Sequence, residues 1–177
     1  MVFFLKITDD FVERKKKYES EIHKEGKSVH TNRVQTEILE DHYGKARARN
    51  FEFFVDEPEV GGGKNRAPRP LEYFLAGFCF CQQVVYSDYI VFDDLNVNNL
   101  GIDVKGYVDQ RGIFGIDDTE PGFKNLEYTV NIDADEDART IIDLVDKVEH
   151  GCPAHASIRK PIEPSRKIVL NGEEIER

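Results

Sequence analysis

Three cysteines, Cys79, Cys81 and Cys152, are the side chains in this chain best suited to covalent chemistry. Cys81 lies at the end of an apolar stretch that opens at Pro70 and runs through Tyr73, Phe74, Phe78 and Phe80. Cys152 sits in His150-Gly151-Cys152-Pro153, where glycine and proline break a helical pattern. The two are 71 residues apart, so only the fold can join them. Joined beside a positive charge, they form a thiol pair capable of redox chemistry, because the thiolate is the reacting species. Kept apart, they are buried thiols of an ordinary mixed domain.

Cys81 needs help to ionise. A free thiol has a pKa of about 8.5, and burial in an apolar helix raises it. The position is too deep in the helix to feel the N-terminal dipole, which fades after the first turn. A guanidinium must therefore do the work. Arg49, on the strand read as feeding the glycine-rich loop, is the preferred candidate, with Arg47 on the same strand face and Arg66 and Arg69 just before the helix. Glu72 is the candidate carboxylate to orient that arginine by a bidentate pair, although a first-turn glutamate favoured by the dipole explains it equally. Cys152 precedes Pro153, where a new helix can begin, so its sulfur can meet free N–H groups. Cys79 lies about 200° round the helix from Cys81 and reads as core.

Two other chemistries compete. Cys79, Cys81, Cys152 and His155 make a three-sulfur, one-nitrogen zinc set on paper. It requires a non-helical turn around Cys79 and Cys81, and Phe78 to Val85 gives no sign of one. Gly61-Gly62-Gly63-Lys64 lacks the Gly-Lys-Ser/Thr of a phosphate-binding loop.

These residues need elements to hold them. Thr8 or Asp9 caps a charged helix that ends at Gly26. Val34 to Leu39 and Lys45 to Val55 read as strands around a turn at Asp41 to Gly44. A turn-rich stretch from Asp56 to Pro70 leads into the main helix, Leu71 to about Ile90, with Pro70 in its first turn. Leu100 to Asp109 and Leu126 to Ile132 alternate as half-buried strands, and 110–124 reads as a long loop. A helix capped by Asp135 or Asp137 carries Ile141, Ile142, Leu144, Val145 and Val148 on its apolar face and stops at Gly151, read as a left-handed C′ glycine. Arg166 to Leu170 and an Asn171-Gly172 turn close the chain. Short hairpins with helices between them imply an α+β layer architecture.

The net charge of −10 argues against nucleic acid as a partner. An odd number of cysteines and no leader pattern favour a reducing cytoplasm over a disulfide framework. The apolar run is interrupted at Gln82-Gln83, short of the ~20 residues a membrane span needs.

Several linked segments carry a resemblance. They are Val55-Asp56-Glu57-Pro58 before Gly61-Gly62, Pro70-Leu71-Glu72 leading a helix to Cys81, and Arg111-Gly112-Ile113-Phe114-Gly115. Pro121-Gly122-Phe123 and Cys152-Pro153 follow in order. Over residues 32–170 the chain resembles the OsmC/Ohr family, nearest its YhfA-like branch. The resemblance implies an OsmC-like domain over 32–177 with an N-terminal helical extension over 1–31. It also implies curved antiparallel sheets with two central helices in an intertwined homodimer. The activity implied is thiol-dependent reduction of organic hydroperoxides, with Cys81 attacking the peroxide and Cys152 resolving it. No cofactor is implied, and an external dithiol, lipoyl or thioredoxin-like, would reset the pair. In the Ohr branch the glutamate directly follows the proline, and Leu71 holds that place here. That departure leaves room for a non-catalytic ligand-binding, redox-sensing or sulfur-handling protein on the same fold.

Overall fold

The computed structural model describes residues 5–25, 29–160 and 162–175. Helix α1, Asp9–Glu25, starts where Thr8 Oγ1 accepts the Phe11 N–H at 3.3 Å, so Thr8 is its cap. Its expected stop at Gly26 lies outside the described residues. Strands β1 (Gln35–Glu40), β2 (Tyr43–Ala48) and β3 (Phe51–Val55) form an antiparallel sheet in that order. The sequence reading of one strand from Lys45 to Val55 is corrected here: the chain turns at Arg49-Asn50. Arg49 adopts φ 57° and is a turn residue, not a strand residue. β1 is exposed along its whole length, and Ile38, Leu39, Phe51 and Phe54 are all exposed.

Helix α2, Pro70–Phe92, follows the loop. At 23 residues it is long and apolar enough by composition to cross a membrane, so the interruption at Gln82-Gln83 does not exclude that as sequence reading held. In the fold it is the central core helix, packed on α4 and β4. Strands β4 (Val97–Val108) and β5 (Phe123–Ala134) pair antiparallel, running from Val97 opposite Ala134 to Val108 opposite Phe123. The segment joining them, read as loop, contains the short helix α3, Gln110–Ile113, whose Arg111 N–H is accepted by Asp109. Helix α4 (Ala138–Gly151) is capped by Asp137, which accepts the Thr140 N–H at 2.8 Å, and α5 (Pro153–Arg159) starts directly after it. Hairpin β6–β7 (Ile168–Leu170, Glu173–Ile175) closes the described chain around Asn171-Gly172.

The core lies between α2, α4 and the β4–β5 ribbon. Tyr86, Ile90, Leu144 and Val148 are buried there, with Leu100, Ile102, Val130 and Ile132 packed against them from the ribbon. Leu5 and Ile7 close the same core from the N-terminal side, and Leu5 donates its N–H to the Asn98 carbonyl. Lys15 of α1 pairs with Asp88 of α2 at 2.7 Å. The architecture is α+β, as the hairpin pattern implied.

Candidate functional site

The site is built on the entrance to α2. Asp56 ends β3 and is buried. Its Oδ1 accepts the Glu57 N–H, and its Oδ2 accepts the backbone N–H groups of Lys64 and Arg66 and the Arg66 Nε at 3.2 Å. Burial pushes this carboxyl up, but those donors, led by the Arg66 N–H, outweigh it and hold the pKa at about 2. The loop folds so tightly that a Cβ on Gly63 would lie 1.9 Å from the Glu57 carbonyl oxygen. This explains the glycine run better than any phosphate cradle. The Arg66 guanidinium lies 4.0 Å from the centre of the Tyr43 ring and also binds Glu40.

From this start α2 carries Phe74, Phe78 and Cys81 along one face, at spacings of about one and two turns. Cys152 caps α5 and is fully buried. Cys81 is half-buried and near enough to Cys152 to affect its thiol. All three thiols are free. Burial pushes the Cys152 thiol up and Cys81 adds to that, while the His155 and Ala154 N–H groups at the start of α5 pull it down. Cys79 is buried away from the pair, and burial and then Asp103 push its thiol up, as a core residue's should be. Gly151 is the last residue of α4 rather than a left-handed terminator. Its lack of a side chain serves a different end: a Cβ there would approach the Tyr89 hydroxyl to 3.1 Å.

An open apolar cavity of about 830 Å³ lies between α2, β5 and α5, and its wall holds Ala154, two residues from Cys152, but neither thiol. Tyr73, Phe74 and Phe78 line it from α2, Phe123 and Leu126 from β5, and Ile158 from α5. Lys124 is the cationic side chain on its wall. Tyr128 of β5 stands next to it, edge-on to Phe78 at 5.4 Å, and its hydroxyl donates to Glu149. Burial and then that bond push the phenol far above its ordinary range. Sequence reading passed over both residues. Their only signal was a tyrosine on the inward phase of β5 and an acid just before the α4–α5 break.

The structure makes Cys81 and Cys152 neighbours, but the arginines named from the sequence are engaged elsewhere. Among the described residues no hydrogen bond joins an arginine to either thiol. Arg49 lies 5.0 Å from the Phe51 ring at the tip of its hairpin. Arg47 donates to the Arg49 carbonyl, and Arg69 Nε donates to Glu57 at 3.0 Å. Glu72 does not orient an arginine side chain. Its carboxylate accepts the Arg69 backbone N–H at 2.8 Å, which fixes the first turn of α2. The zinc set is also undone: Cys79 and Cys81 are in continuous helix, and His155 Nδ1 lies 2.9 Å from the Glu149 carbonyl. Among the described residues no three metal-ligating side chains converge.

The family model described as OsmC-like protein matches residues 61–165. The chain belongs to the OsmC-like family. No curated protein matches it. Solved structures share its fold. An OsmC-like protein from Mycoplasma pneumoniae superposes with a TM-score of 0.66 at 18% identity, over 76% of this chain and 91% of that one. An organic hydroperoxide resistance protein from Elizabethkingia anophelis gives 0.58 at 23% identity, over 77% and 94%. The organic hydroperoxide resistance protein OhrB of Bacillus subtilis gives 0.53 at 18%, over 76% and 94%.

Proposed function

We propose that this protein is a thiol peroxidase for organic hydroperoxides, working as a homodimer. The observation that carries the reading is two free thiols from distant parts of the chain that come close enough to affect each other, on α2 and at the start of α5, the helices that wall an apolar cavity. Cys81 is the more exposed of the two, so it is the thiol a peroxide can reach. Its thiolate attacks the O–O bond, the alkoxide leaves and is protonated to an alcohol, and Cys81 becomes a sulfenic acid. Cys152 displaces water from that sulfur to form a disulfide, which an external dithiol reduces. The phenylalanines of the cavity favour an organic group over hydrogen peroxide.

The dimer supplies what one chain lacks. The β1–β3 sheet is held to its own chain by Tyr73, whose hydroxyl donates to the Phe54 carbonyl at 2.7 Å. Its exposed Ile38, Leu39 and Phe51 offer apolar surface for a second copy. Arg49, at the tip of that sheet, is the guanidinium we assign to Cys81 across the interface. The test is turnover of cumene hydroperoxide with dithiothreitol. Cys81→Ser is expected to abolish it, Cys152→Ser to leave a first turnover without disulfide, and Arg49→Ala to slow the first step. Full activity in Cys81→Ser would refute the reading.

A further inference from the structure

Local features of the chain shape the cavity between α2, β5 and α5. Strand β5 reaches it through a bulge. Val108 pairs with Phe123 and Tyr107 with Asn125, so Lys124 has no partner across the ribbon. That extra residue shifts the strand's phase and puts Phe123 on the cavity wall with Leu126, where a regular strand would turn the two to opposite faces. Gly106 makes the room: a Cβ there would lie 2.4 Å from the Phe123 ring and 3.1 Å from Leu126. Phe123 then meets Phe74 at 5.5 Å, and Tyr73 and Phe78 continue the aromatic wall along α2. Gly77 stands among them inside the helix. Glycine is the poorest helix former after proline, yet a Cβ on Gly77 would meet nothing within 4 Å. No positive φ and no neighbour in its own chain calls for a glycine there, and the space it leaves opens on the cavity.

The other side-chain donors on the wall already have acceptors. The Tyr73 hydroxyl donates to the Phe54 carbonyl at 2.7 Å, the Ser157 hydroxyl to the Pro153 carbonyl at 2.8 Å, and the Asn125 amide to Glu127 at 2.9 Å. Lys124 is exposed and makes no ion pair among the described residues, and Asp109, whose carboxyl feels its charge, is held by Arg111 at 2.6 Å. One exposed ammonium on the wall of an apolar, ring-lined cavity of ligand size calls for a guest with one negative end and a flat apolar body. We infer that the cavity binds an aryl-substituted carboxylate, its ring among Phe74, Phe78 and Phe123 and its carboxylate on the Lys124 ammonium. Edge-to-face and offset contacts between rings add to the burial that any alkyl chain would gain, and a ring brings fewer rotatable bonds to immobilise. Such binding is independent of the peroxidase reading, since the wall holds neither thiol.

The test titrates 4-phenylbutyrate into the reduced full chain by isothermal calorimetry, with 4-phenylbutyramide as its uncharged twin. The acid should bind about tenfold more tightly than the amide. Lys124→Met should remove that advantage for the acid and leave the amide unchanged. Lys105→Met, which takes an exposed lysine from β4 outside the cavity, should change neither. Gly77→Leu fills the cavity with no clash at its Cβ and with a better helix former, so it should fold as stably as wild type and lose both ligands. Decanoate, with as many carbon atoms and no ring, should bind no more tightly than 4-phenylbutyrate. An acid that fails to saturate the wild type below about 5 mM overturns the site outright. Equal affinity for acid and amide, or an acid affinity that Lys124→Met leaves intact, overturns the ion pair. Decanoate binding about tenfold more tightly overturns the ring. Unchanged binding in Gly77→Leu puts the ligand elsewhere and overturns the site. A Gly77→Leu chain that becomes monomeric where the wild type is dimeric assigns the space to a second copy, which overturns the ligand.

Discussion

Replacing Gln82 by methionine should stabilise the protein. Gln82 is fully buried one turn from Tyr86, and neither its amide nitrogen nor its amide oxygen has a partner among the described residues. An unmade hydrogen bond at a buried group costs about 1–3 kcal/mol, because the water lost on folding is not replaced. Methionine has nearly the same length and fills the same space with an apolar, adaptable chain. The expected gain is therefore about 1–3 kcal/mol. With a urea slope of about 2 kcal/mol/M, the middle of that range moves the unfolding midpoint up by about 1 M. Thermal unfolding should rise by about 2–4 °C for each kcal/mol. The assay is urea unfolding under reducing conditions at fixed protein concentration, because any self-association would shift the midpoint with concentration. Tyr86→Phe, which removes only the orphan hydroxyl, should give a smaller gain of the same sign. Two independent orphans should add in the double variant to within about 0.5 kcal/mol. A loss of stability in Gln82→Met, or a larger coupling between the two, would mean that these groups share a partner, and the reasoning would fall.

Leu144→Ala opens a cavity between Tyr86, Ile90 and Val148 and should cost about 2–5 kcal/mol, read as a lower urea midpoint with an unchanged slope. Asp56 has a folded pKa of about 2, below its unfolded value of about 3.9, so it contributes stability above about pH 4 that is lost as pH falls toward about 2. Asp56→Asn should therefore flatten the fall of stability across that window, and a slope equal to wild type would contradict the assignment. Asp109, held at about 2 by the side chain and backbone N–H of Arg111, titrates in the same window, so its Asn variant is the matched control. Removing residues 1–31 strips Leu5 and Ile7 from the core and Lys15 from Asp88, and should lower the melting temperature while leaving peroxide turnover measurable.

The two thiols were legible in the sequence because each sits in a local pattern that survives folding. An apolar run after Pro70 makes a helix on its own terms, and Gly151-Cys152-Pro153 marks a helix break whatever surrounds it. Glu72 was legible as a type but not as a role. A glutamate in the first turn after Pro70 caps whichever N–H is free, and Arg69 offers its backbone there before any side chain competes. The Tyr128–Glu149 hydrogen bond was not legible at all. Tyr128 and Glu149 belong to different elements, and nothing in either segment announces a partner 21 residues away.

Arg49 fails for a different reason. The alternation of Lys45, Arg47 and Arg49 hid the turn, and only the polar Arg49-Asn50 pair marked it. A two-residue hairpin turn calls for positive φ, which arginine adopts less readily than asparagine or glycine, so Arg49 at φ 57° is not an obvious turn residue, and it stands exposed at the tip. Among the described residues no hydrogen bond joins an arginine to Cys81, and Arg49 stands exposed at the tip of its hairpin. In the dimer we propose, a second copy of the chain would bring the two together. The dimer and the thiol's activation are then one question: a monomeric variant should lose the first oxidation step in proportion to its loss of partner. A monomer that oxidises Cys81 at full rate would show that the activating charge lies within a single chain, and Arg49 would no longer be a candidate.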